Sequence, residues 1–96
     1  MLLIILFDYD ADLIDVPILI NDMEKYQNLF FEWLFNKSID HVYWLYKDGE
    51  KYGCSYRSEA FVDWLNNNPL KHSKEKAKIV LQFINEYNKE LPILCF

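Results

Sequence analysis

The chain opens with an unbroken apolar run of strand length, residues 2–7, before the polarity changes abruptly at Asp8. A run without alternating polar positions is typical of a central strand that is covered on both faces of its sheet. The polar segment that follows, from Asp8 to Asp15, is expected to leave this strand as a loop. The pattern therefore predicts a buried first strand with an acidic connection at its end.

The next segment predicts a long first helix, from Pro17 or Asn21 to Asn36. Pro17 is tolerated in a first turn, and Asn21 with Glu24 three residues later forms a capping-box-like start. The apolar residues of this segment cover more than half of a helical wheel, which is wider than the stripe of a simple surface helix. We therefore expect the helix either to be buried on two sides or to leave one apolar edge for a partner.

The clearest local signal is the stretch HVYWLYKDGEKYGCSYR. Two runs rich in aromatic and β-branched residues, 41–46 and 51–56, flank the dipeptide Asp48-Gly49. This dipeptide is preferred in two-residue type I′ turns because both central residues need positive φ. The sequence therefore predicts a β-hairpin over these residues.

The last third of the chain predicts two further helices and a terminal strand. Ser58 is expected to cap a short helix over EAFVDWLNN, which the asparagines and Pro69 end. A longer helix is predicted over KEKAKIVLQFINEYNKEL from its repeat of apolar residues every three or four positions, and PILCF after it is a short strand. The order β-α-β-β-α-α-β predicts a single α+β domain over residues 1–96, with three helices packed on a mainly antiparallel sheet of about four strands.

Composition agrees with one folded domain. The 96 residues are 52% hydrophobic and include only 2 Gly and 3 Pro, so the chain can bury enough apolar surface to offset its ordering entropy. Cys54 and Cys95 are too few for a disulfide framework and lie in no metal-ligand pattern. This cysteine usage predicts a protein of the reducing cytoplasm. No segment approaches the roughly 18 apolar residues of a membrane span, so we expect a protein that does not enter a membrane.

The formal charge of −5 is distributed unevenly along the chain. Residues 1–40 hold eight carboxylates and two lysines, a net charge of −6, whereas residues 41–96 hold seven carboxylates and eight basic residues, a net charge of +1. A protein that binds phosphate backbones needs the opposite sign. The charge pattern therefore disfavours direct binding of nucleic acid.

The acidic stretch LFDYDADLIDVP places Asp8, Asp10, Asp12 and Asp15 within eight residues. Four carboxylates this close repel one another, and a cation or a cationic partner would relieve that repulsion. A calcium loop counted from Asp8 would need Gly at its sixth position and Glu at its twelfth, where this chain has leucines. The spacing does not support a calcium site, and no cofactor or metal is predicted.

An apolar strand followed by D-x-D resembles the nucleophile motif of the haloacid-dehalogenase phosphatases. That resemblance implies that Asp8 attacks phosphorus and that Asp10 acts as acid and base beside magnesium. The position that is usually Thr in that family is Asp12 here, and the family's domain is much longer than this chain. A small metal-dependent phosphoryl-transfer enzyme is therefore kept as the alternative function.

The combination of DYDADLIDVP, an aromatic helix and YWLYKDGEKYGCSYRSEAFVDWLN resembles the small immunity proteins of bacterial contact-dependent growth inhibition and related polymorphic toxin systems. This resemblance implies a cytoplasmic inhibitor without catalytic residues that binds a cognate toxin domain. Many such toxins are nucleases, whose active sites must be basic to hold phosphate. An acidic surface could occupy such a site.

We therefore predict an acidic and aromatic surface that binds a basic toxin domain and contains no catalytic residue. A subunit or regulator that oligomerises through its aromatic helix is a further possibility. The predicted partner-binding residues are Asp8, Asp10, Asp12, Asp15, Asp22, Glu24, Phe31, Glu32 and Phe35.

Overall fold

A β-hairpin at the start of the chain forms the middle of the main sheet. The computed structural model describes residues 1–17 and 22–96, and Asn21, a predicted helix start, lies outside the described residues. The elements, in chain order, are β1 (Leu2–Leu6), β2 (Ala11–Asp15), α1 (Met23–Leu34), β3 (Trp44–Lys47), β4 (Glu50–Cys54), α2 (Ser58–Asn67), β5 (Lys78–Ile84) and β6 (Ile93–Cys95).

The main sheet has four strands in the order β5-β2-β1-β6. β1 is antiparallel to β2, with Leu3 opposite Ile14, and parallel to β6, with Ile5 opposite Leu94. β2 is antiparallel to β5, and two register shifts interrupt this pairing. The predicted central position of the first strand is therefore confirmed.

The helices pack on one face of this sheet, and Phe30 of α1 is the centre of the contact. Its ring is fully buried and lies 5.3 Å from the ring of Phe61 and 6.1 Å from the ring of Trp64, both in α2. Side chains of the two central strands, such as Leu3 and Ile14, belong to the same core. The core covers only part of the wide apolar arc of α1, since Phe30 and Leu34 are buried whereas Leu29 and Phe35 are exposed.

The aromatic hairpin is confirmed and forms a separate two-stranded sheet, β3-β4. Asp48 and Gly49 connect its strands with φ of 52° and 79°, the positive values that a type I′ turn requires. The hairpin is held to the end of α1 by His41, whose Nε2 lies 2.7 Å from the Leu34 carbonyl oxygen. The His41 ring also stacks on Trp44, with 5.0 Å between ring centroids.

Two boundaries at the helix starts differ from the prediction. The residue that caps α1 is Asp22, whose carboxylate accepts a hydrogen bond from the Lys25 N–H at 3.2 Å. Arg57 rather than Ser58 precedes α2, and Ser58 is its first helical residue. The hydroxyl of Ser58 donates to a carboxylate of the sheet instead of capping its own helix.

The predicted third helix is wrong, and so is the predicted loop between Asp8 and Asp15. Residues 78–84 form β5 and residues 11–15 form β2, and the two segments pair with each other. Within the described residues the chain is therefore a small α+β domain with two helices and a mixed, mainly antiparallel sheet, in the order β-β-α-β-β-α-β-β. Pairing between distant segments overrode the local helical pattern.

Candidate protein-binding site

The side chain of Asp12 is buried inside the domain. It is 0% exposed and points from β2 to the face that the helices cover, opposite Ile5. Its Oδ1 accepts hydrogen bonds from Arg57 Nη2 at 2.8 Å and from the Phe83 N–H at 3.0 Å, while Oδ2 accepts one from the Ser58 hydroxyl. The prediction that Asp12 binds a partner at the surface is therefore wrong, because each carboxylate oxygen is used inside the fold.

The hydrogen bonds around Asp12 keep it ionised in spite of its burial. Burial by itself would raise the pKa of this carboxyl group, since it disfavours the charged form. The hydrogen bonds from Ser58, the Phe83 backbone and Arg57, together with the positive charge of Arg57, outweigh burial and lower the pKa below its ordinary value of 3.8. Asp12 is thus a structural anion that joins β2 to α2 and β5.

Arg57 links this buried carboxylate to the acidic turn. Its Nη2 also donates to Asp10 Oδ1 at 2.9 Å, and its guanidinium carbon lies 4.4 Å from the ring centroid of Phe7 and 4.1 Å from that of Phe83. Such contacts between a guanidinium group and aromatic faces are favourable because the ring faces carry negative potential. Arg57 therefore supplies, within the chain, a cation that relieves the crowding of Asp10 and Asp12.

The backbone conformation at Phe83 allows its N–H to donate to Asp12. Phe83 has a φ of 57°, which is rare for a bulky residue because its side chain crowds the backbone. It lies where the pairing of β5 with β2 is irregular, and the irregularity directs its N–H to Asp12. Phe83 is 60% exposed, so its backbone binds a buried carboxylate while its side chain contributes to the surface.

Five aromatic rings and the guanidinium group of Arg57 form a continuous row from Phe83 to α1, at the end of the sheet where the acidic turn lies. Successive centres lie between 4.1 and 6.1 Å apart. The two end rings are well exposed, Phe83 at 60% and Phe35 at 52%. We call this row the aromatic ridge, and its members in spatial order are Phe83, Arg57, Phe7, Phe96, Phe31 and Phe35.

The acidic turn projects from the side of the ridge. Phe7 donates its N–H to the Asp10 carbonyl at 2.9 Å, which closes a tight turn around Asp8 and Tyr9. Tyr9 is 96% exposed and stands between two carboxylates. A turn whose base is fixed by Arg57 presents these side chains with little flexibility left to lose on binding.

Five of the nine predicted site residues lie on or beside the ridge. Phe31 and Phe35 are members of it, Asp8 and Asp10 flank its turn, and Glu32 is exposed on α1 next to Phe31. This part of the predicted surface is brought together by the fold.

The remaining surface acids lie elsewhere. Asp15 is at the opposite end of β2 from the turn, and its Oδ1 is 3.1 Å from the Met1 amino group. Asp22 and Glu24 lie at the start of α1, about 16 to 20 Å along the helix from Phe35 at a rise of about 1.5 Å per residue. The nine predicted residues therefore divide into a buried acid, a group at the ridge, and three acids at the ends of β2 and α1 that are far from the ridge.

The geometry gives no support to the phosphoryl-transfer alternative. Asp10, which would act as acid and base, is bound to Arg57, and Asp12 beside it is bound to the same nitrogen. A guanidinium group thus stands where a divalent cation would have to bind the second carboxylate. Among residues 1–17 and 22–96, His, Cys, Asp and Glu form no group of three or more that could hold a metal ion.

Four residues important to this site were not predicted to belong to it: Phe7, Phe83, Phe96 and Arg57. Arg57 is the only arginine in the sequence, and it forms ion pairs with two carboxylates. Its partners are not local, however, because they lie 45 and 47 residues away. Phe83 was placed on a helix, and nothing in the local pattern of its segment connects it to Arg57.

Within the described part of the chain, no helix is long and apolar enough to cross a membrane. Comparison with known proteins found no matching family model, no matching curated protein and no matching solved structure.

Proposed function

We propose that the protein is a cytoplasmic immunity protein that binds and neutralises a basic toxin domain, in the simplest case a nuclease. The observation that carries this proposal is the aromatic ridge with exposed carboxylates at its border. Large aromatic side chains surrounded by charges are the usual composition of strong protein-protein contacts. The ridge is therefore the surface through which we expect the toxin to dock.

The charges that the surface offers are fewer than the acidic stretch suggests. Asp10 and Asp12 are paired with Arg57, whereas Asp8 and Glu32 are exposed and make no ion pair with a described residue. Unpaired carboxylates beside an apolar contact attract a basic partner during diffusion and oppose an acidic one. Asp8 and Glu32 are thus expected to govern the association rate.

The aromatic residues are expected to supply most of the binding energy. Phe35 and Phe83 are half or more exposed at the two ends of the ridge, so each has apolar area that a partner could remove from water. The rings between them are held by neighbours, which limits the side-chain entropy lost on binding. We therefore expect Phe35 and Phe83 to govern the dissociation rate.

The proposal is tested by co-expression with the toxin domain encoded next to this protein's own gene. Growth of cells that produce the toxin domain should be restored by the protein, and the two purified chains should form a stable complex on gel filtration. If the protein does not restore growth and no complex forms at low salt, it is not an immunity protein for that domain.

The surface assignment is tested by two double variants that change the net charge equally. Asp8→Lys with Glu32→Lys should lower the association rate constant by about tenfold or more at low salt, with a smaller effect at high salt. The control, Glu50→Lys with Glu75→Lys, alters exposed acids at the hairpin turn and at the Met1 end of the sheet. Equal effects of the two double variants would mean that only net charge matters and that the ridge is not the docking surface.

A further inference from the structure

Two apolar side chains are buried on the face of the main sheet that points away from the helices. Ile4 and Ala11 are 0% exposed, yet they lie outside the hydrophobic core that the helices cover. Each is next in sequence to a residue of the helix-covered face, Leu3 and Asp12 respectively, and successive side chains of a strand point to opposite faces. A small apolar cluster that is buried apart from the main core usually lies beneath a long connection.

The connection from β5 to β6, residues 85–92, crosses this second face. It follows Ile84, which is opposite Ala11. It ends at Ile93, which is opposite Ile4, so in the strand order β5-β2-β1-β6 it passes both central strands. Three strand spacings amount to about 14 Å, and about eight extended residues reach at most about 28 Å, which leaves only a short path. Because the helices fill the other face, that path lies over the two buried side chains.

Both ends of this connection are fixed to the sheet by hydrogen bonds. Just before it, the Phe83 N–H donates to Asp12 Oδ1 at 3.0 Å. At its end, the Ile4 N–H donates to the Pro92 carbonyl oxygen at 2.9 Å. The residues between these two points form no helix or strand.

Residues 85–91, which we call the strap, are held much less firmly than the two ends. Their hydrogen bonds are internal, both accepted by Asn88, and none joins the strap to another residue within 1–17 and 22–96. Tyr87 and Leu91 are partly buried, whereas the other five strap residues are exposed. Two partly buried side chains thus hold the strap on the sheet, and it can leave without breaking a hydrogen bond to the domain.

We propose that the strap lifts off the sheet as a unit while the rest of the domain stays folded, which exposes Ile4 and Ala11 to solvent. The opening joins them to aliphatic residues of the same face that are already 40–54% exposed: Leu2, Leu81 and Ile93. A continuous aliphatic surface then forms on the side of the sheet opposite the helices. The strap contains no residue of the aromatic ridge, so this opening is independent of the proposed docking surface.

The test compares two buried positions by thiol labelling of the full chain, in a Cys54→Ala and Cys95→Ala background. Ala11→Cys places a thiol beneath the strap, and the control Ala60→Cys places one at an equally buried position in the core beneath the helices. Labelling at position 60 should require global unfolding, whereas labelling at position 11 should be at least about a hundredfold faster than global unfolding allows. Each rate is compared with the unfolding free energy of the same variant, measured in urea, so that a loss of stability does not imitate an opening. Ile4→Cys repeats the measurement at the second buried position, and labelling at positions 4 and 11 that requires global unfolding overturns the proposal.

A strap variant tests whether the strap is the cover. Tyr87→Ala removes one of the two side chains that hold the strap and should speed labelling at position 11 by about tenfold, without changing the labelling at position 60 relative to global unfolding. The control is Glu86→Ala, at the exposed neighbouring residue, which should leave both rates unchanged. If Tyr87→Ala speeds labelling at position 11 no more than Glu86→Ala does, the strap is not what protects the buried side chains.

Discussion

Replacement of Arg57 by methionine should destabilise the domain mainly through the buried carboxylate of Asp12. The variant keeps an unbranched apolar side chain between the rings of Phe7 and Phe83 but removes the guanidinium group that Asp12 and Asp10 share. Asp10 is partly exposed and can turn to water. Asp12 is 0% exposed, so it retains an ionised group with two neutral hydrogen-bond donors and no cation.

The expected cost is about 3 kcal/mol near neutral pH. Removing one partner of a buried ion pair costs about 3–5 kcal/mol, and the lower end applies because the Arg57 side chain is 26% exposed and water already screens part of the interaction. With a denaturant slope of about 2 kcal/mol per molar urea, the midpoint of unfolding should fall by about 1.5 M. The three tryptophans provide the fluorescence signal, and Lys47→Met, at an exposed strand residue, should change stability by less than about 0.5 kcal/mol.

The pH dependence separates this explanation from a simple loss of packing. In the original protein the pKa of Asp12 is lowered, so the stability that it contributes is present above 3.8 and is lost as the pH falls through the folded-state pKa. In Arg57→Met burial has fewer opposing interactions, so the pKa of Asp12 should rise, and acid should protonate it at little cost. The difference in unfolding free energy between the two proteins should therefore shrink toward about pH 4.

A double variant completes the test. Asp12→Asn added to Arg57→Met removes the isolated charge while keeping an oxygen that can accept the Phe83 N–H, so it should recover at least about 1 kcal/mol at neutral pH. A cost below about 1 kcal/mol for Arg57→Met, or a cost that does not change with acid, would refute the reasoning.

Two further predictions concern the aromatic hairpin. Burial, and the hydrogen bond that the Tyr43 hydroxyl donates to Asp63, raise the pKa of Tyr43 from 10.0 to about 12, so Tyr43→Phe should remove the last tyrosine to ionise in an ultraviolet titration. The stability that neutral Tyr43 provides should be complete below pH 10.0 and lost as the pH rises through about 12; a Tyr43 phenol that ionises with the exposed tyrosines would contradict this. Gly49→Ala should lower the unfolding free energy by about 1 kcal/mol because Gly49 has a φ of 79°. The control Gly53→Ala should change it little, since Gly53 has no positive φ and has open space for a methyl group. Equal shifts of the melting temperature in the two variants would show that the turn conformation is not the cause.

The elements that the sequence predicts correctly are those whose signals are local. An unbroken apolar run identified β1, and the Asp48-Gly49 turn identified the hairpin of β3 and β4. Neither signal depends on which distant segment lies beside it. The short helix after Arg57 was recognised for the same reason, within one residue of its start.

β5 was missed because the spacing of its apolar residues also fits the period of a helix. Ala77, Val80, Leu81 and Ile84 repeat every three or four residues, as on a helix face. In the fold Ala77 is buried, Val80 and Leu81 are exposed, and Ile84 is opposite Ala11, so these residues never form one face. The strand exists because β2 offers a hydrogen-bonding edge, and β2 itself was hidden by the aspartates within it.

The acidic stretch receives part of the positive charge that it needs from within the chain. Crowded carboxylates do need positive charge nearby, and the sequence argument assigned that charge to a partner. In the fold it comes from Arg57, which holds Asp10 and Asp12 within hydrogen-bonding distance. Of the two carboxylates that flank Tyr9, the turn therefore offers Asp8 as the unpaired one.

The ion pairs of Arg57 with Asp10 and Asp12 change which aspartates the docking proposal requires. If the partner were attracted by the aspartate stretch, neutralising Asp10 would matter as much as neutralising Asp8. Because Arg57 already compensates Asp10, Asp10→Asn should affect binding mainly by loosening the turn, whereas Asp8→Asn should reduce the salt dependence of association directly. A partner whose association responds equally to both changes would be recognising the total charge of the stretch, and the fixed geometry of the turn would then have no part in recognition.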